Sequence, residues 1–214
     1  MSTVWAAVPV KEFTGAKQRL AALLSAAQRE TLAATMLEDV LAALAGSRRL
    51  AGILVNTIDP RAAELASRYG ARVVTDGARD GHTGAVMGMA RALAADGHAM
   101  LTMPGDIPRV TAAEIDAVVS ARRPAPSFTI VPARDELGSN AVLCAPPGAV
   151  PLRFGDDSFF PHLAAARKAG IAPTIVRLSG IGLDIDHPED LRAFLRATPR
   201  LPTRTLALLE KFGV

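Results

Sequence analysis

The chain has 214 residues, half of them hydrophobic, a net charge of +3 and a single cysteine. That length reads as one domain over residues 1–214, burying roughly 70% of the surface its unfolded form exposes. A single cysteine excludes an internal disulfide, and no apolar run reaches the roughly 18 residues of a membrane span. MSTVWAAVPVKEF is not expected to be a signal peptide, having no basic region before an apolar core, so the expected location is a reducing cytoplasm. The calculated pI near 9.5 does not argue for nucleic acid. The basic residues are dispersed, the densest runs being the pairs Arg48-Arg49 and Arg122-Arg123, and aromatic side chains for base stacking are scarce.

In chain order, VWAAVPV from Val4 reads as a first apolar strand. Ser25 and Gln28 form a capping box, followed by the stripe Leu37, Val40, Leu41, Leu44 and a left-handed stop at Gly46. ILVNT from Ile53 and RVVT from Arg72 are strands. Val86, Met89, Ala90 and Leu93 make the next helical stripe, closed by Gly97. The strand AMLTM from Ala99 leads to a second capping box, Thr111 with Glu114, ahead of Ile115, Val118 and Val119. FTIVP from Phe128 and AVLC from Ala141 are strands, with Cys144 a small buried hydrophobe. CAPPGAVPLRF from Cys144 reads as a surface loop, and Ser158 as the N-cap of a helix ending at Gly170. TIVRL from Thr174 and GLDID from Gly182 are the last strands, and Pro188 suits the first turn of a closing helix. Alternating strands and helices specify a three-layer α/β domain, and the apolar early strands a mostly parallel sheet covered on both faces.

Four places could carry chemistry. AMLTM runs into Pro104-Gly105-Asp106-Ile107-Pro108, which turns the backbone at the carboxyl end of a strand, where open α/β sheets bind ligands. Asp106 alone could be a turn residue bonding its own backbone. Alternation along GLDID puts Asp184 and Asp186 on one face. Capping of the following helix explains Asp186 or Asp190 but not Asp184 as well. Two carboxylates about 4 Å apart repel by roughly 4 kcal/mol at an effective dielectric near 20, so the pair calls for a cation. Mg²⁺ suits it, being held by one or two carboxylates together with substrate phosphates.

The exit of the first strand carries Lys11, Lys17 and Arg19. These cations fit a triphosphate or an anionic substrate, and equally a solvated helix start; the glycine spacing of a P-loop or dinucleotide fingerprint is missing. Arg153-Phe-Gly155-Asp156-Asp157-Ser158 precedes a helix whose free N–H groups suit an anion, although capping accounts for Ser158 equally well.

Taken together, VPVK…AKQRL, PGDIP, RFGDDSF and DIDHPEDL resemble the guanylyltransferases of deazaflavin coenzyme (F-420) biosynthesis, in order over nearly the whole chain. Such enzymes are similar in fold to the molybdenum-cofactor guanylyltransferase and other glycosyltransferase-A-type nucleotidyltransferases, a Rossmann-like nucleotide-diphospho-sugar transferase fold. The resemblance implies that GTP is joined to 2-phospho-L-lactate, phosphoenolpyruvate or 3-phosphoglycerate, releasing pyrophosphate. It implies Mg²⁺ on Asp106, Asp184 and Asp186, and Lys11 as a catalytic contact to the acid and nucleotide, with Asp106. Asn140, Gly155 and Ser158 fall where the family binds the acid's phosphate. Nucleotide contacts would come from Val8, Lys17, Arg19, Thr83, Gly84, Pro104 and Gly105.

The chain departs from the pattern at three places. His82-Thr83-Gly84 replaces a Leu-Asn pair, Ser139-Asn140 a Gly-Thr pair, and His187 a Thr. His82 itself reads as a surface loop residue. A molybdopterin or sugar-phosphate nucleotidyltransferase would want a Gly-rich LxGGxSxR-type loop after the first strand, and that loop is absent. A non-catalytic domain of the same fold would not need the three aspartates. No partner beyond GTP and the acid is indicated, and the sequence leaves a homodimer open.

Overall fold

The computed structural model describes residues 2–155 and 157–214. Seven strands form one sheet in the order β3-β2-β1-β4-β6-β5-β7. β1 (Val4–Pro9) pairs in parallel with β2 (Leu50–Asn56) and β4 (Ala99–Thr102), and β2 pairs in parallel with β3 (Arg72–Val74). β6 (Ser139–Ala145) runs antiparallel to both β4 and β5 (Ser127–Pro132), and β7 (Thr174–Ile175) is parallel to β5. The mostly parallel α/β sheet matches expectation.

Side-chain alternation along β1 sends Val4, Ala6 and Val8 to one face and Ala7 to the other. The first face packs on α1 (Ala26–Ala45), α2 (Pro60–Arg68) and α4 (Ala112–Ser120), through Leu37, Val40, Leu41, Leu65, Ile115 and Val118. The second packs on α3 (Gly81–Ala95) and α5 (Phe159–Lys168), through Val86, Met89, Leu93, Phe159 and Leu163. Burying an apolar side chain of this size contributes about 1.5–3 kcal/mol, so the stripes rather than helix propensity hold the helices in place. A third cluster joins Leu32 and Met36 of α1 to α6 (Pro188–Arg196) and α7 (Arg204–Phe212). Asp39 fixes that docking. Its carboxylate accepts from the N–H groups of Arg204 (3.0 Å) and Thr205 (2.9 Å), two donors that an α-helix leaves unpaired.

Both predicted capping boxes are present, at Ser25/Gln28 and Thr111/Glu114. Other expectations need correction. Gly46 is right-handed (φ −80°), not left-handed; a Cβ there would meet Ala112 Cβ at 3.4 Å, so close packing of α1 on α4 is what suits glycine. Ser158 does not cap α5 through its side chain. GLDID is not a strand. It crosses the ends of the strands and makes isolated bonds in place of a ladder, Ile185 N–H to Asp106 C=O (3.1 Å) and Asp186 N–H to the Asp190 carboxylate (3.2 Å). No helix among the described residues is long and apolar enough to cross a membrane.

Candidate functional site

β1 has β2 on one side and β4 on the other, so chain order reverses at β1 and β4. In open α/β sheets this reversal leaves a crevice at the carboxyl ends of the strands. A cleft of about 820 Å³ lies there, its walls made by the segment after β1 and the turn after β4. Lys11, Lys17, Pro104, Gly105, Asp106 and Asp186 all line it.

Local bonds set the two walls. Phe13 is buried, and its N–H donates to Asp59 Oδ2 at 2.8 Å, while Asp59 Oδ1 accepts from Arg61 N–H at the start of α2. Burial opposes ionisation of Asp59, but the N–H donors of Phe13, Ala62 and Arg61 outweigh it and hold the carboxyl below its ordinary range. The segment bearing Lys11 is thereby tied to an element 46 residues away. On the opposite wall, the Asp106 carbonyl accepts from Ile185 N–H, which brings GLDID beside the PGDIP turn. Gly105 lies against Leu37, where a Cβ would come within 3.0 Å of Cδ1.

At the centre, Lys17 Nζ lies 2.6 Å from Asp106 Oδ2 and 2.7 Å from Asp186 Oδ1. Burial works against the ammonium, but the two carboxylates prevail and hold it above the ordinary lysine value. The same pairing lowers Asp186 against its own burial. Lys17 adopts a left-handed backbone (φ 52°), a conformation costing a non-glycine residue about 1–2 kcal/mol. The carboxylate pair that shares a cation is therefore Asp106 and Asp186, and the cation is a lysine of the chain itself. Asp184 stands apart. Burial, with smaller contributions from Asp106 and Asp186, pushes it up to about 6, against the bond it accepts from Asn140 Nδ2 at 3.0 Å.

Among the described residues no three carboxylate, imidazole or thiol side chains are gathered into a metal cluster. The donor set nonetheless suits a hard divalent ion: three carboxylates within Coulombic reach, and Asp106 Oδ1 buried with no hydrogen-bond partner.

Several predicted residues lie elsewhere. The Val8 side chain is wholly buried in the core and does not reach the cleft. Thr83 Oγ1 accepts from Phe154 N–H at 3.1 Å, and Gly84 packs where a Cβ would strike Asp80; neither lines the cleft. Arg19 sits outside it, with Nη1 3.1 Å from His187 Nε2. Asp190, not Asp186, serves the N-terminus of α6, its Oδ2 accepting from Asp186 N–H and His187 N–H.

Gly155 and Ser158 meet just before α5, where Ser158 N–H donates to Gly155 C=O at 3.3 Å, while the Asn140 side chain on β6 bonds Ile181 and Asp184 instead. Asn140 and Ser158 are buried, and no atom lies within 4 Å of a Cβ built on Gly155. Asp156 lies outside the described residues. His82 is not a surface loop residue. It lies in the first turn of α3, lines the cleft and packs against Phe154 (4.7 Å between ring centroids); burial, with a smaller push from Lys11, outweighs the opposing charge of Asp106 and depresses its proton affinity below an ordinary imidazole's.

Sequence reasoning missed Asp59 and His162, and singled out Ser139 only as a departure from the family pattern. Asp59-Pro60 is legible as a helix start, but its bond to Phe13 leaves no local signal.

Residues 4–199 match the protein-family model described as "Guanylyl transferase CofC like". The chain is 40% identical to the phosphoenolpyruvate guanylyltransferase of Conexibacter woesei over 195 residues, covering 90% of this chain and 87% of that one. It is 34% identical to the 3-phospho-D-glycerate guanylyltransferase of Colwellia psychrerythraea, covering 86% and 87%. Among solved structures, a candidate nucleotide-diphospho-sugar transferase from Desulfovibrio desulfuricans G20 superposes with a TM-score of 0.74 at 20% identity, covering 99% of this chain and 95% of that one. At that identity the likeness concerns the fold alone.

Proposed function

The chain belongs to the guanylyl transferase CofC-like family of nucleotidyltransferases, and from that premise we propose that it joins GTP to a small phosphorylated acid and releases pyrophosphate. The observation that carries this reading is the meeting of Lys11, Lys17, Asp106 and Asp186 on one cleft at the switch point of the sheet.

A phosphate oxygen of the acid attacks the α-phosphorus of GTP. The new P–O bond forms as the bond from the α-phosphorus to the bridging oxygen breaks, and that electron pair leaves with pyrophosphate. The attacking oxygen is already anionic, so no general base is assigned, and His82 is not required as one. Lys11 stands exposed on the cleft wall, placed to meet the phosphates of the acid and nucleotide. Pro104 and Gly105 shape the opposite wall.

Asp106, Asp184 and Asp186 would hold Mg²⁺, beginning from the unpartnered Oδ1 of Asp106. When bound, Mg²⁺ supplies charge neutralisation to the phosphates. Lys17, released from its carboxylates, would then have its ammonium free for the phosphates. Positioning and charge neutralisation supply the rate.

Phosphoenolpyruvate is the first acid to expect, because the relative named for it is the more similar of the two above. 2-Phospho-L-lactate remains an acid that the F-420 resemblance implies. The test is a matrix of GTP and ATP against phosphoenolpyruvate, 2-phospho-L-lactate and 3-phosphoglycerate with Mg²⁺, following pyrophosphate. Pyrophosphate with GTP and one acid supports the proposal; none in any combination refutes it.

A further inference from the structure

β6 and α5 carry a polar cluster whose proton count does not close. His162, on α5, is 1% exposed. Its Nε2 lies 3.1 Å from the N–H of Arg153, and its Nδ1 lies 2.9 Å from Ser139 Oγ. A backbone N–H can only donate, so Nε2 is the acceptor and bears no proton. Burial first, and the charge of Arg153 second, depress the imidazole to about 4, so the ring is neutral near pH 7. Its one proton is then on Nδ1 and is donated to Ser139.

Ser158 Oγ lies 3.1 Å from Ser139 Oγ. Two hydroxyls bring two protons, and the bond between them uses one. His162 accepts neither, because Nδ1 is a donor and Nε2 is taken. One hydroxyl proton is left over, and no other side-chain bond from either serine is found among the described residues. Asn140 cannot replace it as a donor. Both of its amide protons are already committed, one to Ile181 C=O and one to Asp184 Oδ1, each at 3.0 Å.

This cluster adjoins the cleft. Phe154 stands edge-on to His162 (5.1 Å between ring centroids) and also packs against His82, which lines the cleft. Gly155, beside it, leaves open space.

We infer that Ser139, joined to the Ser158 that the resemblance already places at the acid's phosphate, presents a hydroxyl donor to an oxyanion of the phosphorylated acid, with His162 as the positioning residue that fixes the direction of the chain of bonds. This rests on the proposed guanylyl transfer and adds Ser139 and His162 to the acid side of the site. Ser139 is one of the places where the sequence departs from the resemblance, so the cluster gives this chain its own donor there.

Steady-state kinetics with phosphoenolpyruvate, GTP and Mg²⁺ test it. His162→Phe keeps the ring and removes both hydrogen bonds; Ser139→Ala removes the hydroxyl and guards against a His162 variant that fails to fold. Both should raise KM for the acid tenfold or more while leaving KM for GTP within twofold. His162→Gln, which can accept from Arg153 and donate to Ser139, should recover part of the loss. Nitrogen-15 shifts of the wild-type ring should show a proton on Nδ1 and none on Nε2. An unchanged acid KM in Ser139→Ala, parallel rises in both KM values, or an Nε2-protonated ring overturns the inference. Should wild type turn over none of the acids, the proposed function falls, and titration with inorganic phosphate decides the cluster. Weaker binding to Ser139→Ala than to wild type supports it; equal binding overturns it.

Discussion

Lys17 Nζ lies 2.6 Å from Asp106 Oδ2, across 89 residues of chain, and its second bond to Asp186 makes one ammonium the counter-ion of two buried-edge carboxylates. Removing that charge leaves the two acids to repel one another, at a cost of about 1–4 kcal/mol if both stay ionised, reduced by solvent at the more exposed Asp186. Lys17→Met is therefore expected to lower the melting temperature in metal-free buffer and to show a larger Mg²⁺-induced rise than wild type. Turnover should fall by about 100-fold, since the variant also lacks the cation meant for the phosphates. Thermal melts with and without Mg²⁺, read beside pyrophosphate release, check both parts.

Asp106→Asn isolates the carboxylate from the packing, because the amide keeps the shape of the turn. One of the two bonds to Lys17 loses its charge, and the unpartnered Oδ1 loses its affinity for a divalent ion. Turnover should fall by about 100-fold or more, while the fold is kept. Circular dichroism and pyrophosphate release distinguish loss of chemistry from loss of structure; unchanged turnover would remove Asp106 from the mechanism.

The pH dependence of stability should report His162. Its folded-state pKa of about 4 lies below the unfolded value near 6.5. The native state therefore resists the proton that the unfolded state takes up. The contribution is present in full above about pH 6.5 and is lost as pH falls toward about 4, on the order of 1–3 kcal/mol. Denaturant titrations of wild type and His162→Phe between pH 7.5 and 4 should show a shallower decline in the variant. Parallel curves would mean that the ring is not buried in its neutral form.

The parts of the fold legible in the sequence are those set by local physics. Capping boxes at Ser25 and Thr111 were readable because both partners lie three residues apart, and the Leu37–Leu44 stripe because its period matches its helix. GLDID misled because its alternation is genuine, with Leu183 and Ile185 buried and the aspartates between them less so. Alternation reports an extended backbone, not a neighbouring strand, and only the ladder distinguishes the two. Asp106, Asp184 and Asp186 stand out in the sequence as residues, but their pairing does not. A lysine at an unpromising helix start takes two of them and Asn140 takes the third, through contacts 44 to 169 residues apart. His162 gave no signal at all, since its role depends on which backbone N–H its ring meets.

Asp59 supports the site from outside it. The carboxylate caps α2 through Arg61 and Ala62 and holds Phe13 N–H, so one side chain joins a helix start to the segment that bears Lys11. Losing a helix cap costs about 1 kcal/mol. The buried N–H of Phe13 would lose its acceptor as well, adding about 1–3 kcal/mol. Asp59→Ala is therefore expected to destabilise the protein by about 2–4 kcal/mol, measured by denaturant titration. Asp59→Asn keeps an acceptor oxygen and should recover about half. If Phe13 fixes the segment after β1, activity should fall in the order wild type, Asp59→Asn, Asp59→Ala at a temperature where all three stay folded. Loss of activity without loss of stability would mean that Asp59 acts on the chemistry directly, a role that its burial away from the cleft lining does not support.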